Sequence, residues 1–424
     1  MPLIAVSHCR TVRGSVVIRS GFEHRPPRMP DLPDAYHLAV LLLLAAGFLT
    51  ALVNLTCFDG LRSAPPPPAG EAPRISILVP ARNEERCIGP CIRSLLAQDY
   101  PHLELIVLDD LSSDGTPHLL DELGLRPGDP QRRVIRGQAL PTGWVGKNWA
   151  CDQLARTATG EFLFFTDADT VHAPGTVSAA LAYAERRRAS LVSAWPRLVT
   201  VTWSECLIVP MILFIGLTSY PHWLVLTLQR WPRFAALLPR SGRRMIGAAN
   251  GQFMFWRRSA YDAVGGHAAL RAHLVEDVAL GRAVAARIGD GLRLFNCDSL
   301  RFSTCRMYRS FGEVWEGFSK NLWPAFERRF LLFCLGGAVQ ICAWLAPIPL
   351  LILQWDRPAR PWLLAQVALL LATRILITLR YRTSWWSVLF HPIAETLGIA
   401  IALNSFRLAC SRGVTWKGRR YSAS

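Results

Sequence analysis

Phe162-Leu163-Phe164-Phe165-Thr166-Asp167-Ala168-Asp169 sets four apolar residues against an acid-x-acid ending. That is the pattern of a short buried strand that stops where two carboxylates begin. The pattern recurs upstream. Ile75-Ser76-Ile77-Leu78-Val79 runs up to Pro80, and Leu103 to Leu108 closes on Asp109-Asp110 and the turn-rich Ser112-Ser113-Asp114-Gly115. Helical segments fall between these runs: one capped by Asn83 and reaching Gln98, with Glu84 and Glu85 in its first turn, one from Thr116, and one over 147–157. A further short strand is expected near Val134. Strands alternating with helices give an α/β domain with a parallel sheet. Ligands of such sheets bind beyond the carboxyl ends of the strands, where these acids stand.

Two carboxylates one residue apart at a strand end can share a hard divalent cation, Mg²⁺ or Mn²⁺, which in turn bridges a diphosphate. The same spacing also occurs as a plain pair of turn acids, so its weight comes from the strand before it and the second acidic pair at Asp109-Asp110. Glu276-Asp277 stands just ahead of a helical pattern over 278–288, either as a cap or as a general base. Only three of the 47 basic residues are lysine: Lys147, Lys320 and Lys417. A compact ammonium that arginine cannot replace is the functional reading of their retention, and coincidence is the other. Lys147, with Arg306 or Lys320, could supply cationic donors to a diphosphate.

The segments Val79-Pro80-Ala81-Arg82-Asn83-Glu84-Glu85, Leu108-Asp109-Asp110-Leu111-Ser112-Ser113-Asp114-Gly115-Thr116, Asp167-Ala168-Asp169 and Val275-Glu276-Asp277 follow one another in this order. As a set they resemble the family-2 glycosyltransferases, from Arg74 to about Trp323. The resemblance implies the GT-A fold, a nucleotide-sugar-binding α/β domain with a mixed, mostly parallel sheet. It implies that Pro80, Arg82, Asn83, Glu84, Asp109 and Asp110 hold the nucleoside. Asp167 and Asp169 would hold the metal on the donor diphosphate, and Asp277, beside Glu276, would be the base. Gly143-Trp144-Val145-Gly146-Lys147-Asn148-Trp149-Ala150, Gly265-Gly266-His267, Arg306-Met307-Tyr308, Gly317-Phe318-Ser319-Lys320-Asn321 and Trp416-Lys417-Gly418-Arg419 look most like the membrane-bound carotenoid- and hopanoid-associated subgroup. The Q-x-x-R-W signature of processive synthases is absent after Asp277, which argues for transfer of a single sugar.

The rest of the chain points to a membrane. Of 424 residues, 51 % are hydrophobic and 18 % charged, with a net charge of +16 and a mean hydropathy of +0.22. The charged share is low for a soluble protein, and the apolar content favours a membrane over nucleic acid as the partner of the basic excess. Eleven cysteines in a chain this long do not make a disulfide scaffold, and Cys87 and Cys91 offer too few ligands for zinc by themselves. Residues 37–58, 330–353 and 361–379 each read as a crossing of a ~30 Å hydrocarbon core. Residues 386–410 are apolar but carry His391, Pro392, Glu395, Asn404 and Arg407, and read as either an interfacial or a transmembrane helix. A Pro-rich linker spans 59–73, extended and solvated. The catalytic domain spans 74–329, with core or interfacial helices near 203–228 and 311–326, and a basic tail follows at 411–424. Arg380, Arg382 and the tail place that domain on the cytoplasmic side of a multi-pass protein in the cell membrane. Residues 1–36 form an N-terminal extension whose first 28 residues are basic, so translation from Met29 is expected, with a headgroup-binding arm as the alternative.

These readings converge on an inverting, non-processive transfer from a nucleotide sugar, a UDP-sugar by the resemblance, to the hydroxyl of a membrane lipid. A polyprenyl phosphate acceptor is the first alternative and a catalytically inactive membrane scaffold the second.

Overall fold

The computed structural model describes residues 32–411 and 413–421, so the expectations for residues 1–28 and for Met29 lie outside the described residues. The seven-stranded sheet of the catalytic domain contains β1 (Ile75–Ala81), β2 (Leu103–Asp109), β3 (Arg132–Arg136) and β4 (Phe162–Phe165). The short β5 (Thr170–His172) follows, then β6 (Leu191–Trp195), β7 (Arg197–Leu198), β8 (Met254–Arg257), β9 (Leu294–Asp298) and β10 (Ser303–Cys305). The order across the large sheet is β3-β2-β1-β4-β8-β6-β9. All its neighbours are parallel except β8, which runs antiparallel to β4 and β6. β5, β10 and β7 form a small separate sheet.

Period-two alternation explains why both faces are buried. Ile75, Ile77, Val79, Leu105, Val107, Phe162 and Phe164 belong to one apolar cluster, with the helices Ile88–Leu96 and Thr176–Arg187. Leu78, Ile106, Leu108, Leu163 and Phe165 face the other way, into a cluster with Gly146–Thr157 and Glu276–Ala286. Two apolar faces need two helical layers, and the strand runs are accordingly continuous rather than half polar.

One boundary differs from the expectation. Asn83 does not cap a helix: its φ of +52° turns the chain aside, and the helix begins only at Ile88. The Asn83 side chain instead accepts the N–H of Ser113, 2.9 Å away, and the Ser112 hydroxyl accepts the N–H of Asn83 at 2.9 Å. Loop-to-loop bonding won over local capping. The linker is exposed from Ser63 to Gly70 apart from Ala64 and Pro67, but its ends are pinned. Leu61 and Ala72 are buried, and Leu61 N–H donates to the Asp298 carbonyl at 2.9 Å.

Among the described residues three helices are long and apolar enough to cross a membrane: 34–57 (mean hydropathy 2.5), 360–381 (1.9) and 391–411 (1.3). The first and second run side by side in the same direction. Gln366 donates to the His37 carbonyl (2.9 Å) at one end, and Asp298 receives both Arg380 and the Leu61 amide at the other. Residues 330–353 are helical with a change of winding. Phe330–Val339 is α, Gln340–Leu345 is π, and Pro347–Leu353 is α again. Pro347 has no N–H to give, and the Ala346 N–H reaches back five residues to Ile341 at 2.8 Å. The pair Phe311–Ala325 and Phe330–Leu345 is bent by 119°. Pro210–Ser219, expected at an interface, is mostly buried instead: Met211, Leu213, Phe214 and Leu217 join Val40, Leu44 and Trp344 in a third apolar cluster. It is packing between the first helix and the domain.

Candidate active site

The strand ends deliver the acids to one place. Asp110 follows β2, Asp167 and Asp169 follow β4, and the helix Glu276–Ala286 opens with Glu276 and Asp277. All five line one cavity of about 2000 Å³, as do Pro80, Arg82, Asn83 and Glu84. All three lysines of the chain line it too.

Lys147 joins the two halves of the acid cluster. Its Nζ lies 2.7 Å from Asp167 Oδ1 and 2.8 Å from Glu276 Oε1. Burial alone would lower the lysine, but the two carboxylates outweigh it and hold the ammonium well above the ordinary range. Burial would raise Glu276, and Lys147 turns that into a net lowering. Asp277 is different. Its Oδ2 accepts the Gly251 N–H at 2.8 Å and its Oδ1 the Val278 N–H at 2.7 Å. Burial, then the Glu276 charge, push it up to about 6. Glycine at 251 leaves room for this approach: a Cβ there would sit 3.2 Å from Asp277 Oδ2 and 3.4 Å from Lys147 Nζ, close enough to push both aside by a few tenths of an ångström.

Asp169 is also pushed up to about 6, by burial and then by Asp167 and Glu84. The Thr170 hydroxyl donates to its Oδ1 at 3.2 Å. Lys147 already compensates Asp167, whereas Asp169 is in no ion pair among the described residues. Among the described residues no three His, Cys, Asp or Glu side chains are grouped to cage a metal. Two carboxylates with the remaining positions left to water and phosphate oxygens suit Mg²⁺-like ions. The donor set therefore fits such an ion.

Three expected donor-side residues do something else. Arg306 makes a bidentate pair with Glu205 (3.0 Å on each arm), the residue that closes the capping box of Trp203–Ile208. Its guanidinium is spent on holding that helix rather than offered to a diphosphate. Asp109 is not among the cavity-lining residues; it accepts the Ser112 N–H at 3.1 Å and shapes the turn. Arg82 lies in the wall but gives its donors to the carbonyls of Asp110 (2.5 Å), Leu111 (3.2 Å) and Lys417 (3.1 Å). Lys320 lines the cavity close enough for its charge to act on Glu276.

Sequence reasoning missed the hairpin of β11 (Val414–Trp416) and β12 (Arg419–Tyr421). It folds back over more than 300 residues of chain onto the loops that follow β1 and β2. Lys417 pairs with Glu84, and Arg419 pairs with Asp110, with Nη2–Oδ1 at 2.9 Å. The signals for it were the rarity of lysine and the Trp416-Lys417-Gly418-Arg419 segment, neither of which gave its contact partners.

Residues 76–265 match the profile described as Glycosyl transferase family 2. The chain carries a family-2 glycosyltransferase domain. The 4,4'-diaponeurosporenoate glycosyltransferase of Staphylococcus aureus (strain USA300) is 26 % identical over 365 residues, covering 82 % of this chain and 88 % of that one. The beta-monoglucosyldiacylglycerol synthase of Trichormus variabilis is 40 % identical over 102 residues, 24 % of this chain; the chain spans only about a fifth (21 %) of that relative. Among solved structures, a mannosyltransferase from Pyrobaculum calidifontis in complex with GDP-Man and Mn²⁺ overlaps 88 % of this chain and 99 % of its own. Its identity is 20 % and its TM-score 0.46. The family-2 domain ends before Asp277, so the acid at the helix start lies in the part of the chain that the profile does not cover.

Proposed function

We propose that this glycosyltransferase moves one sugar from a nucleotide-sugar donor to a hydroxyl of a membrane lipid, with inversion at the anomeric carbon. The observation that carries the reading is the continuity of the cavity. It begins among Asp167, Asp169 and Asp277 and continues between apolar walls contributed by Ile208, Ile215, Leu335, Ile341, Ile399 and Leu403. An amphiphile can lie along those walls with its hydroxyl at the acids. The names of the two curated relatives, a diaponeurosporenoate glycosyltransferase and a glucosyldiacylglycerol synthase, support the same acceptor class.

Asp277 takes the proton of the acceptor hydroxyl as its oxygen bonds to the anomeric carbon. The bond from that carbon to the diphosphate breaks on the opposite face, and the configuration inverts. The Gly251 and Val278 amides fix the Asp277 carboxylate, and Lys147 fixes Glu276 beside it. Glu84, Asp110, Asn83 and Pro80 face the nucleoside, with uridine the base expected from the sequence resemblance. Asp169, with Asp167, would hold a divalent cation, which when bound neutralises charge on the departing diphosphate.

The same reading gives three crossings: 34–57, 330–353 and 360–381. Arg380 returns to Asp298 of the domain, and the hairpin after Ser411 also ends on the domain, at Glu84 and Asp110. The helix His391–Ser411, about 31 Å long at 1.5 Å per residue, packs along Phe330–Leu345 with His391 at Trp344 and Phe406 on Phe333. It therefore dips into the interface beside that helix and, with the segments before and after it returning to the domain, adds no full crossing. A cysteine placed at Ser424 should resist an impermeant thiol reagent in intact cells; labelling there would add a crossing.

Mass spectrometry of membrane lipids with the gene present and deleted tests the acceptor. A lipid species gaining one hexose or similar sugar only when the gene is present is expected. A modified polyprenyl phosphate in its place would overturn the hydroxyl acceptor.

A further inference from the structure

The apolar arm of the cavity contains two polar side chains that its packing does not explain. Gln340 and Glu395 both line it. Glu395 is 3 % exposed, and among the described residues both its Oε2 and Gln340 Oε1 are buried with no hydrogen-bond partner. The Arg374 guanidinium lies near enough for its charge to act on Glu395, but among the described residues no hydrogen bond joins the two, and its Nε is itself buried without a partner. Arg374 gives Nη2 to the Ser387 carbonyl (2.8 Å) and to the Ser387 hydroxyl, directs Nη1 at Met211 Sδ (3.2 Å), and lies over the Phe214 ring. A buried acceptor without a donor is costly and rare in a native fold. Two of them in one cavity wall point to a ligand that brings the donor.

Register places the pair level with each other. Phe406 stacks on Phe333, and His391 Nε2 meets the Trp344 carbonyl at 2.9 Å, so the helices 391–411 and 330–345 run antiparallel. Four residues in from the His391–Trp344 contact on each helix come Glu395 and Gln340, on the same faces. The depth follows from the same helix. Asn404 Nδ2 bonds Ser319 Oγ (2.9 Å), next to Lys320 at the acid end, and Glu395 lies nine residues before Asn404. At 1.5 Å per residue that is about 13 Å farther into the apolar arm.

We propose that Glu395 and Gln340 form a second recognition point for the acceptor. It would take a hydrogen-bond-donating group, a hydroxyl or an amine, on an otherwise apolar molecule, on the order of 13 Å from the hydroxyl that receives the sugar. The inference rests on the lipid-acceptor reading above and narrows it, from any lipid alcohol to an elongated one polar at two points. A site built to bond such a group discriminates against the molecule lacking it, because its own buried acceptors are then left unmet.

The test uses the full-length enzyme in detergent micelles, a panel of nucleotide sugars as donors, and straight-chain primary alcohols against the matching α,ω-diols. The wild type should prefer the diol roughly tenfold in kcat/KM at one chain length and little at others. In Glu395→Leu that preference should fall to about one. Gln340→Leu, on the opposite helix, should reduce it as well and stands in where loss of the charge near Arg374 impairs folding. A wild type that uses alcohols and diols equally at every length, or variants that keep the preference, overturns the second point while leaving the lipid acceptor intact. A wild type that transfers to no alcohol of either kind, with nucleotide release unaffected by adding them, takes down the lipid-acceptor reading itself and this one with it.

Discussion

The two arms of the cavity are held by opposite means. At the donor arm the acids are partnered: Asp167 and Glu276 by Lys147, Glu84 by Lys417, Asp110 by Arg419, and Asp277 by two backbone amides. At the arm proposed for the acceptor the walls are mostly aliphatic, and among the described residues Gln340 and Glu395 each leave a buried oxygen there without a donor. The donor arm is preorganised around charge that arrives with the ligand, whereas the acceptor arm gives volume and a sparse pattern of polar marks. Substitutions in the first should act on the chemical step, and substitutions in the second on which acceptor is used.

The largest effect is expected from the acids. Asp277→Asn keeps the size of the side chain but only one of the two amide contacts, since its Nδ2 cannot accept an N–H; it removes the base, and kcat should fall roughly a thousandfold. Near-full turnover would mean an acceptor already ionised, as a phosphate is. Asp169→Asn should be comparably inactive, since a hard cation loses a charged ligand. Full activity of that variant, or of the wild type in excess EDTA, would break the metal reading.

Next comes pH. Asp277 must be ionised to take a proton, and its folded-state value is about 6 against an ordinary 3.8. Below pH 6 the rate should drop about tenfold per unit. The loss is not unfolding from this group or from Asp169. Both bind their protons more tightly folded than unfolded, so as pH falls from about 6 toward 3.8 they add stability instead of removing it. A pH–rate profile run beside a thermal melt separates the two. Loss of rate with a melting point that holds or rises is expected between pH 6 and 5, and a parallel fall of both would shift the cause from the base to the fold.

This difference between arms also decides what was legible beforehand. The donor arm is made where strands end, so each acid sits in a short run with its own hydrophobic prelude, as in 162–169, and the order of runs could be read directly. What could not be read there were contacts between distant loops: Asn83 turned to Ser113, Arg306 drawn to Glu205, and the hairpin laid on Glu84 and Asp110. Each is a choice among several partners for a flexible polar side chain, and only the tertiary arrangement makes it. The acceptor arm was visible merely as apolar helices. Ile208, Leu335 and Ile399 read like any membrane-facing residues, and nothing local says that they enclose a cavity.

A moderate effect is expected from the hairpin. Burial already raises Glu84 and Asp110, with Lys417 and Arg419 opposing the rise. Without those cations, two acids would meet an incoming diphosphate with their charge exposed. In Lys417→Ala and Arg419→Ala the donor KM should rise about tenfold, the size of one charge-assisted contact, while the acceptor KM stays put. A fall in donor KM would instead show that the hairpin blocks the site.

The smallest effect should come from the acceptor wall, and it sharpens the contrast most. Ile399 lies on the interfacial helix, one turn beyond Glu395, and lines the apolar arm. Shortening it to alanine removes apolar contact but leaves every charge in place. A hydrophobic pocket discriminates weakly per methylene, so acceptor KM should rise about fivefold. The donor KM, the pH profile and the EDTA sensitivity should not move, because none of the groups that set them touches this residue. That is the mirror image of the hairpin variants. If Ile399→Ala altered donor KM as much as acceptor KM, the two arms would not be separable, and the cavity would have to be treated as one site in which the position of the lipid governs how the nucleotide is held.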